Sequence, residues 1–167
     1  IISIGNVSVG GYEQEIIVPI NLSNPENSVG GFQFDFMAIP NIIQLSSVSA
    51  SDPNSFTADF NIIDDNNSRV VFYSNNGSEI NSGGDQEVMY LHFDGSEILS
   101  AVINIEPFNL TISDGSGNII NGSIDGGSIT IGDIVIMSAG VDTGDVNESV
   151  YIDISLENSG DVGGLQF

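Results

Sequence analysis

The chain has 167 residues with 23 Asp and Glu against one Arg and no Lys, one His, no Cys, and a formal net charge of −22. That balance excludes nucleic acid and anionic membrane surfaces as partners, since both are held by clustered Lys and Arg, and it excludes a P-loop, which needs its lysine. The missing Cys and single His exclude a disulfide scaffold, a thiol nucleophile and multi-ligand zinc sites, while 40% hydrophobic residues suffice for a core and no apolar run approaches the ~20 residues of a membrane-spanning helix.

In chain order the pattern is that of strands. Val18-Pro19-Ile20-Asn21-Leu22 alternates, and Phe32-Gln33-Phe34-Asp35-Phe36 alternates strictly, which puts the three Phe on one inward face. Arg69–Tyr73 and Glu87–Phe93 are β-rich runs with apolar residues on both faces, and Ile129-Thr130-Ile131 alternates again. Turn formers punctuate the chain between them: Gly10-Gly11, Asn24-Pro25, Asp52-Pro53, Asp64-Asp65-Asn66-Asn67, Asn76-Gly77, Gly83-Gly84, Asp114-Gly115 and Asp125-Gly126-Gly127. No stretch has a helical period; residues 95–101 hold one turn at most. The expected fold is all-β, an antiparallel sandwich or jelly roll of about nine strands.

The chain also repeats itself. At an offset of 134 residues, Val7, Gly10, Val18, Ile20 and Leu22 match Val141, Gly144, Ile152, Ile154 and Leu156. At an offset of 133, Gly30-Gly31-Phe32-Gln33-Phe34 matches Gly163-Gly164-Leu165-Gln166-Phe167. Residues 1–133 therefore read as one complete unit, and 134–167 as the first three strands of a second. The chain opens on Ile rather than Met, which reads as mature material or an excised segment.

With the strands placed, residues 1–133 resemble the cohesin module family. Val18-Pro19-Ile20 looks like its second strand, Gly31-Phe32-Gln33-Phe34-Asp35-Phe36 like its third, and Pro40-Asn41-Ile42-Ile43-Gln44-Leu45 like the segment that follows. Arg69-Val70-Val71-Phe72-Tyr73, Asp114-Gly115-Ser116-Gly117-Asn118 and Gly127-Ser128-Ile129-Thr130-Ile131-Gly132 fit later strands and turns. The resemblance implies a nine-stranded jelly-roll sandwich that catalyses nothing and binds dockerin modules, gathering or anchoring proteins outside the cell. It also implies a role for the outer face of the third strand, here Gln33 and Asp35. Ala38-Ile39 depart from the Tyr-Asp pair that the family carries before the proline.

Asn-X-Ser/Thr acceptor sequences stand at Asn6, Asn21, Asn66, Asn76, Asn109, Asn121 and Asn147, where about three arise by chance. Asn21 and Asn109 alternate with apolar neighbours and should face solvent. Glycosylation, few bases and no Cys together suit a secreted or cell-surface protein.

Carboxylates supply the available catalytic chemistry. Asp64-Asp65, Asp85 with Glu87, and Asp142, Asp145 with Glu148 are the clusters, all in turn-like sequence where Asp serves backbone hydrogen bonding. Asp114, Ser116 and Asn118 place oxygen atoms at positions 1, 3 and 5 of a loop that could take calcium, against the reading of a tight hairpin. His92 reads as a surface residue of its strand, and Arg69 as a partner of Asp64 or Asp65.

These observations lead to a non-catalytic extracellular repeat module acting by protein–protein contact. In the first form, copies assemble into a filament or surface layer, with the apolar stripe Val150, Ile152, Ile154 and Leu156 donated as a strand to a neighbouring copy. In the second, the module is a scaffold that binds a dockerin. Carbohydrate binding ranks below both, because the chain has no Trp.

Overall fold

The computed structural model describes residues 1–132, 135–145 and 149–158. Among them there is no α-helix. The strands are β1 (Ile2–Ile4), β2 (Asn6–Val9), β3 (Ile16–Asn24), β4 (Gly31–Ile39), β5 (Leu45–Ala50), β6 (Phe56–Ile62) and β7 (Asn67–Ser74). They continue as β8 (Gly83–Phe93), β9 (Ala101–Ser113), β10 (Ile119–Ile120), β11 (Ile124–Asp125), β12 (Gly127–Ile131), β13 (Val135–Ala139) and β14 (Ile154–Asn158). One sheet has the order β11-β1-β3-β8-β5; the other has β2-β12-β9-β4-β7-β6, with β10 added to β9.

The first and last strands of the sandwich each change sheets midway. β1 and β2 are one run interrupted at Gly5, and β11 and β12 one run interrupted at Gly126, so the long strands number nine, as the resemblance implies. The two runs lie parallel, β1 with β11 and β2 with β12, while every other pair of the sandwich is antiparallel. The crossing is tight. A Cβ on Gly127 would lie 2.3 Å from the Gly5 oxygen, so only glycine fits there.

Alternation then builds the core. Phe32, Phe34 and Phe36 of β4 are 4, 0 and 3% exposed, as the sequence predicts. Phe32 stacks on Phe72 at 4.9 Å, and Phe72 on Phe56 at 5.0 Å. Phe36 meets Phe93 of the opposite sheet edge to face at 6.1 Å, which ties the two layers together. Ile16, Val18, Ile20 and Leu22 supply the facing side from β3.

Among the described residues, register shifts interrupt the ladders at four places, and two of them bear on the core and the outer face. In the β3–β8 ladder Ile20 pairs with Met89 and Asn21 with Glu87, so Val88 has no opposite number and turns inward beside Met89. In the β4–β9 ladder Gln33 pairs with Thr111 and Asp35 with Phe108, so Asn109 and Leu110 share the space opposite Phe34. Asn109 takes φ 54°, a left-handed conformation that Asn tolerates better than most residues.

Beyond the sandwich, β13 and β14 pair in a two-stranded sheet of their own. The segments that pair are those expected to repeat β1 and β3. Their register differs by one residue: Ile2 stands opposite Leu22, whereas Met137 rather than Ile136 stands opposite Leu156. The third expected strand of the tail, Gly163–Phe167, lies outside the described residues.

Candidate protein-contact face

Residues directly opposite one another in an antiparallel ladder share a face. On β4 the outward positions are Gln33, Asp35 and Met37. Gln33 stands between Val71 of β7 and Thr111 of β9, Asp35 between Arg69 and Phe108, and Met37 between Asn67 and Glu106. On β6, Thr57, Asp59 and Asn61 stand opposite Tyr73, Val71 and Arg69. The outer face of the larger sheet thus has a half-buried apolar centre of Met37, Val71 and Phe108, with Tyr73 46% exposed beside it. Exposed Asp59, Asn61, Glu106 and Thr111 surround it. Half-buried apolar side chains interleaved with the Asp35–Arg69 pair and bordered by exposed polar residues give the mixed surface that protein contacts use.

Asp35 lies at the middle of this face and is 2% exposed. Its carboxylate accepts Arg69 Nε at 2.6 Å, Arg69 Nη2 at 2.9 Å and Asn109 Nδ2 at 3.0 Å. The bonded Arg69 guanidinium holds Asp35 below the ordinary aspartate range against the opposing effect of burial, and Asn109 adds to the lowering. Arg69 therefore does not pair with Asp64 or Asp65. The β4–β7 register sets it against Asp35, while Asp64 accepts the amides of Asn66 and Asn67 and the Asn67 side chain within its own turn. Gln33 is a half-exposed surface residue, whereas Asp35 is covered by the side chains it binds. The covering was not legible beforehand, because Asn109 reaches Asp35 through a bulge that leaves no mark in the alternation.

The loop after β4 begins with a cis Ile39–Pro40 bond and is braced by Asn41, whose Nδ2 donates to Asp65 O and Asn66 Oδ1. At the other end of the larger sheet, Asp114 closes a tight turn. Its Oδ1 accepts the amides of Ser116 and Asn118, and its Oδ2 accepts Asn118 Nδ2. These bonds, the Asn118 side chain first, hold the Asp114 carboxyl below its usual range. They are the bonds of the hairpin reading. Among the described residues no group of three or more His, Asp or Glu is placed to share a metal ion.

His92 is not a free surface residue. It lies on the outer face of the smaller sheet, its side chain 15% exposed, with Nδ1 2.9 Å from Glu15 Oε1 and Nε2 2.8 Å from Ser49 Oγ. The three side chains stitch the start of β3, β8 and β5 together. Neither Glu15 nor Ser49 is near His92 in sequence, so only the strand order reveals the link.

Of the acceptor asparagines, Asn6, Asn66, Asn76, Asn109 and Asn121 are exposed and Asn21 is half-buried; Asn147 lies outside the described residues. In the tail, Val150, Tyr151, Ile152 and Ile154 are 46, 78, 57 and 45% exposed, and Leu156 stands on β14 opposite Met137.

No protein-family model matches the chain, and no curated protein matches it. Solved structures do match. The sixth cohesin from scaffoldin B of Acetivibrio cellulolyticus, in complex with a Cel5 dockerin mutant, superposes with a TM-score of 0.62 at 18% identity, covering 78% of this chain and 96% of that one. A type I cohesin–dockerin complex from Clostridium thermocellum gives the same figures. A non-cellulosomal cohesin from the hyperthermophilic archaeon Archaeoglobus fulgidus gives 0.59 at 18% identity over 78% and 88%. The 78% is about the share of the chain that the sandwich occupies.

Proposed function

From a cohesin-like domain over the residues up to Gly132, we propose a non-catalytic protein–protein contact module that works outside the cell and takes a dockerin-type partner on the outer face of its larger sheet. The observation that carries this reading is the face itself: a half-buried centre of Met37, Val71 and Phe108, an exposed Tyr73, and a polar rim. Compared structures of the same fold were solved as cohesin–dockerin complexes. The Asp35–Arg69–Asn109 cluster leaves the carboxylate satisfied, so a partner desolvates no bare charge when it covers Asp35.

The test is calorimetric titration of the chain with the dockerins of the compared complexes. Tyr73→Ala and Val71→Asp each weaken binding at least about tenfold if this face is used. If binding survives both changes, the contact lies elsewhere.

A second reading rests on the exposed apolar residues of the tail. Val150, Ile152 and Ile154 invite pairing with a neighbouring copy, which would make the chain a subunit of a surface assembly. Truncation after Gly132 separates the two readings: it abolishes self-association by light scattering in the second and leaves dockerin binding intact in the first.

A further inference from the structure

On the outer face of the smaller sheet, away from the contact face, the strand order lines up a hydroxyl, an imidazole and a carboxylate. Ser49 Oγ lies 2.8 Å from His92 Nε2, and His92 Nδ1 lies 2.9 Å from Glu15 Oε1. Glu15 stands just ahead of β3, His92 on β8 and Ser49 on β5. A carboxylate only accepts, so Nδ1 carries a proton, and in the neutral ring Nε2 is left to accept the Ser49 hydroxyl. The other bonded serines of this edge are used differently. Ser46 Oγ donates to His92 O and Ser51 Oγ to Val88 O, so β5 is tied to β8 without Ser49. Ser49 alone of the three points its hydroxyl at a base. Nucleophile, base and orienting acid stand in the order and at the spacing that activate a serine for acyl transfer.

The edge position of β5 adds a donor. β5 pairs only with β8. The Ser51 amide donates to Val88 O at 3.0 Å. Two residues back the Ser49 amide also faces β8, while the amide of Ala50 between them faces the open edge. The amide that follows a nucleophilic serine is a usual receiver of the charge that develops on an acyl oxygen. The surroundings are apolar and uncharged on one side. Ile17, 45% exposed, stands opposite His92, and Tyr90 stands opposite Ser49 with its hydroxyl turned to Glu87 Oε2 at 2.9 Å. A net charge of −22 repels an anionic acyl donor.

We propose that Ser49 is a modification site, an activated serine that takes one short acyl group from an uncharged activated ester. Its Oγ attacks the carbonyl carbon while His92 Nε2 takes the hydroxyl proton and Glu15 holds the ring. The Ala50 amide receives the carbonyl oxygen as it gains charge. The bond from the carbonyl carbon to the leaving oxygen then breaks, and His92 gives that oxygen the proton. Ser49 is left as an ester, and nothing is oxidised or reduced. The larger clefts lie at one end of the sandwich and over the larger sheet rather than at Ser49. The site therefore selects its donor by reactivity rather than by shape, and the outcome is a single acylation of the chain rather than turnover. The inference stands apart from the choice of partner for the larger sheet.

The test treats the full chain with an uncharged alkyl fluorophosphonate, whose phosphorus bonds the serine oxygen and releases fluoride, and separately with 4-nitrophenyl acetate. Peptide mapping by mass spectrometry locates the adducts. Both reagents should mark Ser49 and leave Ser46 and Ser47, exposed on the same strand, unmarked. Urea-unfolded chain should lose that preference. His92→Gln keeps a hydrogen-bonding side chain but supplies no base, and should slow the labelling of Ser49 at least about a hundredfold. Glu15→Gln should slow it to a smaller extent, and because Glu15 is 61% exposed this variant keeps the fold where His92→Gln loses it. Melting curves report which variants are folded at the assay temperature. Labelling of Ser49 no faster than that of Ser46 and Ser47, or a rate that the folded variants leave unchanged, would show that the three side chains only tie strands together, and the proposal fails.

Discussion

Arg69 and Asp35 stand directly opposite each other on β7 and β4, joined by two hydrogen bonds of 2.6 and 2.9 Å. The one base among the side chains that is always charged is thus matched to a buried aspartate, in a chain with 23 acids. Taking a carboxylate out of water without a partner is costly, and the pair offsets that cost. Arg69→Met leaves only the Asn109 amide on the carboxylate and lowers the melting temperature by several degrees at neutral pH. Because the folded pKa of Asp35 lies below its unfolded value, the stabilisation is complete above the unfolded value of about 3.9 and is lost as pH falls through the folded one. The unfolded state is common to both chains, so the gap between parent and Arg69→Met melting curves is steady near neutrality and narrows as pH falls through the carboxylate range, from the folded pKa of the variant down to that of the parent. A gap that stays constant into strong acid would show that the pair is not its source.

The alternation of β4 gives a sharper test of the core. Phe34 is fully buried and lies between Phe32 and Phe36, with ring centres 6.3 Å from each. Phe34→Ala should cost about 3–5 kcal/mol in urea unfolding, the range for deleting a buried aromatic ring. Gln33→Ala, one residue away on the other face, should stay within about 0.5 kcal/mol. Equal effects would mean that the strand does not present its faces as described.

The same two residues show what the sequence holds and what it hides. Strict alternation at Phe32, Phe34 and Phe36 was enough to place the inward face, because a strand's side-chain period is two. The period fails at Val88 and at Asn109, where a bulge inserts a residue and the following positions change face. Bulges depend on the partner strand, which a single sequence does not show. The links Arg69–Asp35 and Glu15–His92–Ser49 were hidden for the same reason: each joins strands far apart in the chain. Turns were different. Asp64 and Asp114 bond amides two to four residues ahead, so the Asp-Gly and Asp-Asn patterns mark where the chain turns, although not what else each carboxylate binds.

At the free edge of the larger sheet, β6 pairs only with β7. The Phe60 amide there donates to the Asp59 carboxylate at 2.8 Å. A charge that occupies an edge amide protects the edge from pairing with another chain. Asp59→Val removes both the charge and the bond. It should raise the apparent mass in sedimentation velocity as concentration increases, while the parent chain is unaffected by the same dilution series. Indistinguishable sedimentation of the two would remove Asp59 as the protecting group.

The acceptor asparagines should not behave alike in a glycosylating host. Asn66, Asn76 and Asn121 are exposed outside the long ladders, whereas Asn109 sits within β9 and donates its Nδ2, the atom a glycan would occupy, to Asp35. Peptide mapping by mass spectrometry should find glycan at the first three and an unmodified Asn109 in chains modified after folding. Full occupancy at Asn109 would require the Asp35 bond to open readily.

The net charge makes the last case. At −22, with one Arg among the side chains, the folded chain repels itself, and counter-ions relieve that strain on compactness. Two mechanisms are open to them. A specific calcium site stabilises by mass action, saturating at millimolar ion, while screening depends on ionic strength alone. The Asp114 turn decides which to expect, since its carboxylate oxygens already accept two amides and the Asn118 side chain. A cation there must displace donors that hold the hairpin closed. Melting temperature should therefore rise with added salt, and calcium at matched ionic strength should add little beyond sodium. Asp114→Asn should leave that salt response unchanged. A calcium-specific rise that Asp114→Asn abolishes would instead establish Asp114, Ser116 and Asn118 as a cation site.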